Sequence, residues 1–288
     1  FIRDKEKAVY YDPEKLHRLD HVGESYQVRG PLNVPRPIQG YPVLVQAGAS
    51  DTGRDVGAAI ADVIFVASPD IDDAKAFYND VKGRAAALGR DVEQIKVLPG
   101  ISPVIGRTEE EAYAKLAELD ALVPDSIAFE GLWTQLGVNL SDHDPDGPLP
   151  EMQATNAKLS RQKLLAGIAK RDNLTIRQLA RIVVSSRGFL SVVGTPETVA
   201  DTMEKWLNEG AADGFNVMPP IMPGGLDDFV DLVVPILQER GIFRKEYEGK
   251  TLRENLGLKR PPNRFAIARE EAARALAATA PKKVAASG

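Results

Sequence analysis

The residues best placed to do chemistry lie in the segment PVLVQAGASDTG, residues 42–53. A β-branched apolar run (Val43, Leu44, Val45) stops at Gln46, passes through Ala47, Gly48 and Ala49, and meets Ser50 at a predicted helix start. A buried strand that turns through small residues into a new helix places backbone N–H groups, unpaired within the helix, at the carboxyl edge of a sheet. A phosphate fits such a corner. Gly48 lets a ligand approach the backbone, and Ser50 offers a hydroxyl, whereas Asp51 opposes an anion unless its carboxylate turns away. On spacing alone, an ordinary strand-to-helix corner without a ligand is the favoured reading.

Other constellations carry less. SDHDPDG sets His143 among Asp142, Asp144 and Asp146, but the glycine and terminal Glu of a calcium loop are missing. His143 is expected either on a turn-rich surface loop or beside a substrate as a proton donor, since long loops often cover sites. His17 and His21 have the i, i+4 spacing of a helical metal pair, yet neighbouring Gly23 marks a helix end or hairpin, so both are read as solvated. Met218 precedes Pro219 and Pro220 at the end of a predicted strand, a position that faces either ligand or core. GTPETVAD reads as a helix start with Thr195 as N-cap and Pro196 in the first turn; the Gly-Lys-Ser/Thr ending of a Walker loop is absent.

The elements that must position these groups alternate strand and helix. Apolar runs predict strands at 43–46, 62–68, 95–106 (interrupted by Pro99 and Gly100) and 215–220, each followed by a helix. TEEEA is read as a capping box between Thr108 and Glu111. Residues 124–188 show no strand and two helical segments, forming an insertion. Residues 20–29 suggest a small hairpin, the proline-rich 31–42 an ordered connector, and 266–288 a solvated helix fraying into a disordered tail. The pattern is α/β with parallel pairing.

Composition narrows the function. A net charge of −5 with dispersed basic residues argues against nucleic acid, and zero cysteines exclude disulfides and thiolate chemistry. Three histidines make a histidine-rich metal site improbable. No apolar run approaches the ~18 residues of a membrane span, so a cytoplasmic protein without a membrane partner is expected.

Collinear motifs then identify a family resemblance. PLNVPRPIQGYPVLVQAGAS, LPGISPVIGRTEEEA, DPDGPLP, VVGTPETVAD, GAADGFNVMPPIMPGGLDDFVDLVVPILQERG and YEGKTLRENLGL resemble the luciferase-like monooxygenases, in the branch of the nitrilotriacetate and dibenzothiophene-sulfone monooxygenases. The resemblance runs from about residue 11 to 265. It implies the carboxyl-terminal part of a (β/α)₈ TIM barrel over residues 1–265, with a helical insertion and an N-terminal truncation. It further implies an FMN-dependent monooxygenase that oxygenates a small organic substrate with reduced flavin and O₂. The flavin would come from a separate NADH:FMN reductase, and the full-length protein is expected to be a homo-oligomer.

Carried onto this chain, the resemblance makes Gln46, Ala47, Gly48, Ala49 and Ser50 ligands of the FMN phosphate. It puts His143 in the insertion near the substrate and Met218 beside flavin or substrate. A histidine often follows the family's Arg-Gly pair; here Phe189 follows Arg187 and Gly188. The family's early flavin-ring contacts have no counterpart in these residues. Two alternatives stay open: a deazaflavin-dependent oxidoreductase of the same fold, and a non-catalytic fragment with unpaired strand edges. An open doubly wound sheet is the competing architecture.

Overall fold

The computed structural model describes residues 1–152 and 159–279. It divides into two compact units. The first comprises Phe1–Pro42, Thr251–Glu254 and Lys259–Gly288. It holds the expected hairpin, β1 (His21–Val22) antiparallel to β2 (Gln27–Val28), and His17 stacks on Phe265 at 3.9 Å between ring centres. Around the proline-rich connector, Arg253 lies 4.5 Å over the Tyr41 ring and donates to Tyr41 O at 3.2 Å.

The second unit, Val43–Lys250 with Asn255–Leu258, contains the sheet. Its elements run β3 (Val45–Gln46), α1 (Asp51–Ile60), β4 (Val63–Val66), α2 (Ile71–Ala87), β5 (Lys96–Ile105) and α3 (Glu109–Ala121). Three helices follow: α4 (Asp125–Leu136), α5 (Leu159–Arg171) and α6 (Ile176–Ser186). The chain then forms β6 (Leu190–Gly194), α7 (Pro196–Asn208), β7 (Asn216–Val217), α8 (Gly224–Asp228) and α9 (Val234–Glu239). In the first unit again, α10 covers Arg264–Thr279 where a solvated helix is expected; the remainder of the expected tail, from 280 onward, lies outside the described residues.

All pairings in the five-stranded sheet are parallel, in the order β3-β4-β5-β6 with β7 also on β5. Ile101 stands opposite both Leu190 and Val217, so β6 and β7 flank β5 on opposite edges. Two strand expectations need correction. Four strands were expected, but Leu190–Gly194 is a fifth; the left-handed Arg187 and Gly188 that end α6 turn the chain directly into it. β5 is also continuous through Pro99 and Gly100, because proline's fixed φ is compatible with an extended chain.

The burial expected of β3 is a third correction. Val45 is 63% exposed and Leu44 40%, since β3 pairs only with β4 among the described residues.

Three apolar clusters support the sheet. Ile64, Phe77, Val81 and Val97 join β4, α2 and β5. Ile101, Val192, Val199, Trp206 and Val233 join β5 and β6 to α7 and the last helices. The strandless region forms its own helical core around Leu132, Leu136, Leu165, Leu179 and Val183, with α4 an additional helix beyond the two read from sequence.

Local signals explain several boundaries. Thr195 caps α7 by accepting from Thr198 N at 3.3 Å, with Pro196 in the first turn, as the sequence indicates. Thr108 caps α3, but Glu111 accepts from Arg107 N at 2.8 Å rather than from Thr108; the reciprocal box is built at Thr175 and Gln178. A π-turn at Phe229–Val233 joins α8 to α9 just before Pro235, whose missing N–H cannot continue the ordinary ladder.

Candidate functional site

At the carboxyl end of β3 the chain turns through Ala47, Gly48 and Ala49 into α1. Ser50 is the N-cap: its Oγ accepts from Gly53 N at 3.1 Å, and its carbonyl accepts from Arg54 N at 2.8 Å. The cap uses a lone pair of the hydroxyl, so the O–H remains able to donate outward. The amides of Asp51 and Thr52 belong to the first turn, where a helix supplies no internal acceptor.

The corner is tight for a reason. A Cβ on Gly53 would sit 3.0 Å from the Gly48 carbonyl carbon and oxygen, and one on Gly48 would lie 2.5 Å from Gln46 Nε2. Two glycines thus let the backbone of the turn and of the first helical turn pack directly against each other. Gln46 Oε1 is buried without a hydrogen-bond partner, on the side of Gly57, where a Cβ would lie 3.2 Å from it.

The carboxylates near the corner are paired with arginines of α1 and α2. Arg84 reaches Asp51 at 3.1 Å, Asp55 at 2.7 Å and Asp80 at 3.0 Å. Arg54 donates from Nε to Ala49 O at 3.0 Å and pairs with Asp80 at 2.8 Å, its guanidinium 4.9 Å over the Phe77 ring. The hydrogen bond from Arg84, then that from Arg54, holds the Asp80 carboxyl below its ordinary value. Asp51, the residue that speaks against an anion, is paired with an arginine from α2 that it shares with Asp55 and Asp80.

A cavity of about 360 Å³ opens on the face of β5, β6 and β7. Ser102 and Val104 of β5, Ser191 of β6, Ser185 and Ser186 of α6, and Arg187 line it, with Met218, Pro219 and Pro220 after β7. Gly100 makes the arrangement possible: a Cβ there would meet Phe189 Cδ1 at 2.6 Å and Met218 Sδ at 3.0 Å. Phe189 also stacks on Phe65 of β4 at 5.3 Å. Met218 and Phe189 are thus brought together over one glycine. Sequence reasoning singled out Met218 but assigned Arg187 and the serines no role; the strand that carries Ser191 went unread, and with it the wall.

His143 lies elsewhere. It is exposed on a turn after α4, its backbone N–H donating to Leu140 O at 3.0 Å, and it does not line this cavity. Neither it nor any other group of His, Asp or Glu among the described residues forms a cluster able to hold a metal. No helix among the described residues is long and apolar enough to cross a membrane.

Comparison with known proteins decides the family. Residues 14–213 match the family described as luciferase-like monooxygenase. The chain belongs to that family. Over 92% of its length it is 52% identical to N-acetyl-S-(2-succino)cysteine monooxygenase from Bacillus subtilis, of which it covers 61%. It is 49% identical, again over 92% of its length, to nitrilotriacetate monooxygenase component A from Aminobacter aminovorans, covering 59% of that protein. Among solved structures, a riboflavin lyase with modified FMN and riboflavin superposes with a TM-score of 0.77 at 34% identity, over 91% of this chain and 57% of that one. The chain therefore spans about six-tenths of the curated relatives it matches. As a luciferase-like protein it has the expected α/β fold with a parallel sheet, and its relatives support a flavin cofactor.

Proposed function

We propose that this chain contributes the cofactor-phosphate and substrate-binding part of an FMN-dependent monooxygenase, built on the carboxyl-terminal portion of a (β/α)₈ barrel. The supporting observation is the β3–α1 corner, where Gly48 and Gly53 pack backbone on backbone, Ser50 caps the first turn of α1 and Arg84 pairs with Asp51.

In this reading Gln46, Ala47, Gly48, Ala49 and Ser50 hold the FMN phosphate. The amides of Asp51 and Thr52 donate to its oxygens, and the positive end of the α1 dipole favours its charge. Bound reduced flavin supplies the electrons that let one atom of O₂ enter the substrate while the other leaves as water. The chain's own share is positioning: Met218, Phe189 and the proline pair exclude water from one wall of the cavity, and the serines orient polar groups on the other. His143 is proposed as substrate-proximal only through its place in the insertion.

The nitrilotriacetate relative's designation as component A supports a second component, which we assign to an NADH:FMN reductase delivering reduced flavin. The test is anaerobic titration of the chain with reduced FMN, followed by oxygen uptake with the reductase present. Saturable binding lost in Ser50→Asp supports the reading; absence of binding to FMN, with tighter binding of a deazaflavin, replaces the cofactor. The exposed β3 edge favours a second reading, binding without turnover. Flavin binding with no substrate-coupled oxygen uptake would establish it.

A further inference from the structure

Of two neighbouring arginines, Arg187 lines the β5–β6–β7 cavity and Arg161 lies behind the lining; neither forms an ion pair among the described residues, although Asp120 is itself part of the lining. Arg187 lines the cavity in a left-handed conformation at the end of α6. Arg161 of α5 lies behind it: its guanidinium is 5.5 Å over the Phe189 ring, and its Nη1 comes within 3.7 Å of where a Cβ on the intervening Gly188 would stand. Its Nε donates to Gln135 Oε1 at 3.2 Å, a neutral acceptor. Among the described residues neither arginine forms an ion pair, whereas Arg54, Arg84, Arg171, Arg177, Arg181 and Arg240 all do.

The contrast is chemically informative. Arg181 also lines the cavity, but its donors are spent on Asp120 O at 2.8 Å, Val123 O at 2.6 Å and Asp125. Burial, reinforced by the adjacent Arg187, holds the Arg161 guanidinium below its ordinary value. Two like charges set side by side repel, and the repulsion is relieved when an anion lies between them. Beyond the arginines, Ser102 and Ser191 offer hydroxyls, those of Ser185 and Ser186 donating to Ile182 O at 3.3 and 3.1 Å, while Leu116, Leu119, Val123, Met218 and Pro219 add apolar lining and Asp120 an acidic residue. The lining thus mixes basic, hydroxyl and apolar groups with one aspartate, around a volume at the small end of the range for ligand pockets.

We propose that Arg161 and Arg187 together recognise a carboxylate of the acceptor, so that the substrate of this site is a small organic anion with a short aliphatic body. The planar guanidinium fork matches a carboxylate bidentately, and the phenyl ring of Phe189 keeps the fork of Arg161 flat beside it. The inference rests on the monooxygenase reading for the word substrate, but the anion site stands on the arginines alone.

The experiment is calorimetric titration of the full chain with nitrilotriacetate and with its neutral trimethyl ester, with and without oxidised FMN. Nitrilotriacetate is expected to bind at least about tenfold more tightly than the ester, and Arg187→Gln and Arg161→Gln are each expected to weaken it by about tenfold. Arg187→Lys should recover part of the loss. Near-UV circular dichroism checks that each variant retains its fold, and Arg240→Gln, remote from the cavity lining, should bind as the wild type does.

Equal binding of acid and ester, or anion binding unchanged in both cavity variants, overturns the inference. The two readings fail separately. Loss of FMN binding with the anion site intact removes the cofactor assignment, whereas FMN binding without discrimination between acid and ester removes only the anion site.

Discussion

Lys82 Nζ lies 3.1 Å from Asp213 Oδ2, joining the middle of α2 to the segment before β7 beneath the amino end of β5. Both side chains are largely buried, at 10% and 14% exposure. Lys82 also donates to Val92 O at 2.8 Å and Ile95 O at 2.6 Å, while Asp213 accepts from Val97 N at 2.8 Å and Tyr78 OH at 3.1 Å. Burial, then the Asp213 carboxylate, raises the Tyr78 phenol above its usual value. Removing one member of such a pair leaves the other charge uncompensated. Asp213→Ala is expected to cost about 3–5 kcal/mol in urea unfolding, more than the double variant with Lys82→Met, whose remaining groups carry no stranded charge.

Ser50 combines a structural and a binding role that substitution can separate. Ser50→Ala loses the cap and is expected to cost about 1 kcal/mol of stability. Ser50→Asp restores a capping acceptor but places a carboxylate where the phosphate is proposed to sit. Thermal melts should therefore rank the aspartate variant near wild type, while fluorescence titration shows its FMN affinity reduced at least about tenfold.

Gly100 is a packing requirement rather than a turn. A methyl group there would overlap Phe189 at 2.6 Å and press on Met218 at 3.0 Å. Gly100→Ala is expected to destabilise by about 1–3 kcal/mol, as overpacking does. Pairing it with Phe189→Leu should recover part of that loss, giving a non-zero coupling in a double-mutant cycle read by denaturant unfolding.

The arginine clamp beside the corner has a definite pH signature. The Asp80 carboxyl is depressed by hydrogen bonds from Arg84 and then Arg54, so its contribution is fully present above the unfolded carboxylate value of about 3.9 and disappears as pH falls through the lower folded value. Asp80→Asn should be less stable than wild type at pH 7 and approach it in acid. Equal differences at pH 7 and in acid would contradict that role.

Much of this protein was legible from residue order because the signals are local. Apolar runs of strand length, the Thr195–Pro196 helix start and the small-residue turn after Gln46 act within a few neighbours, and collinear motifs carried the family. β6 was not legible, since Leu190–Gly194 is short and its pairing to Ile101 spans the whole helical insertion. The cavity wall carried by Ser191 was lost with it.

Sequence alone determined an α/β chain of the luciferase-like family with a small-residue strand-to-helix corner ending at Ser50. Only tertiary structure decided that Arg84 from α2 pairs with Asp51 at the start of α1, that Gly100 seats Phe189 against Met218, and that Arg161 stands behind Arg187. The physical reason is common to all three. Each depends on contact between side chains or backbone from separate helices and strands, and the distances that govern charge and packing exist only after those elements have docked.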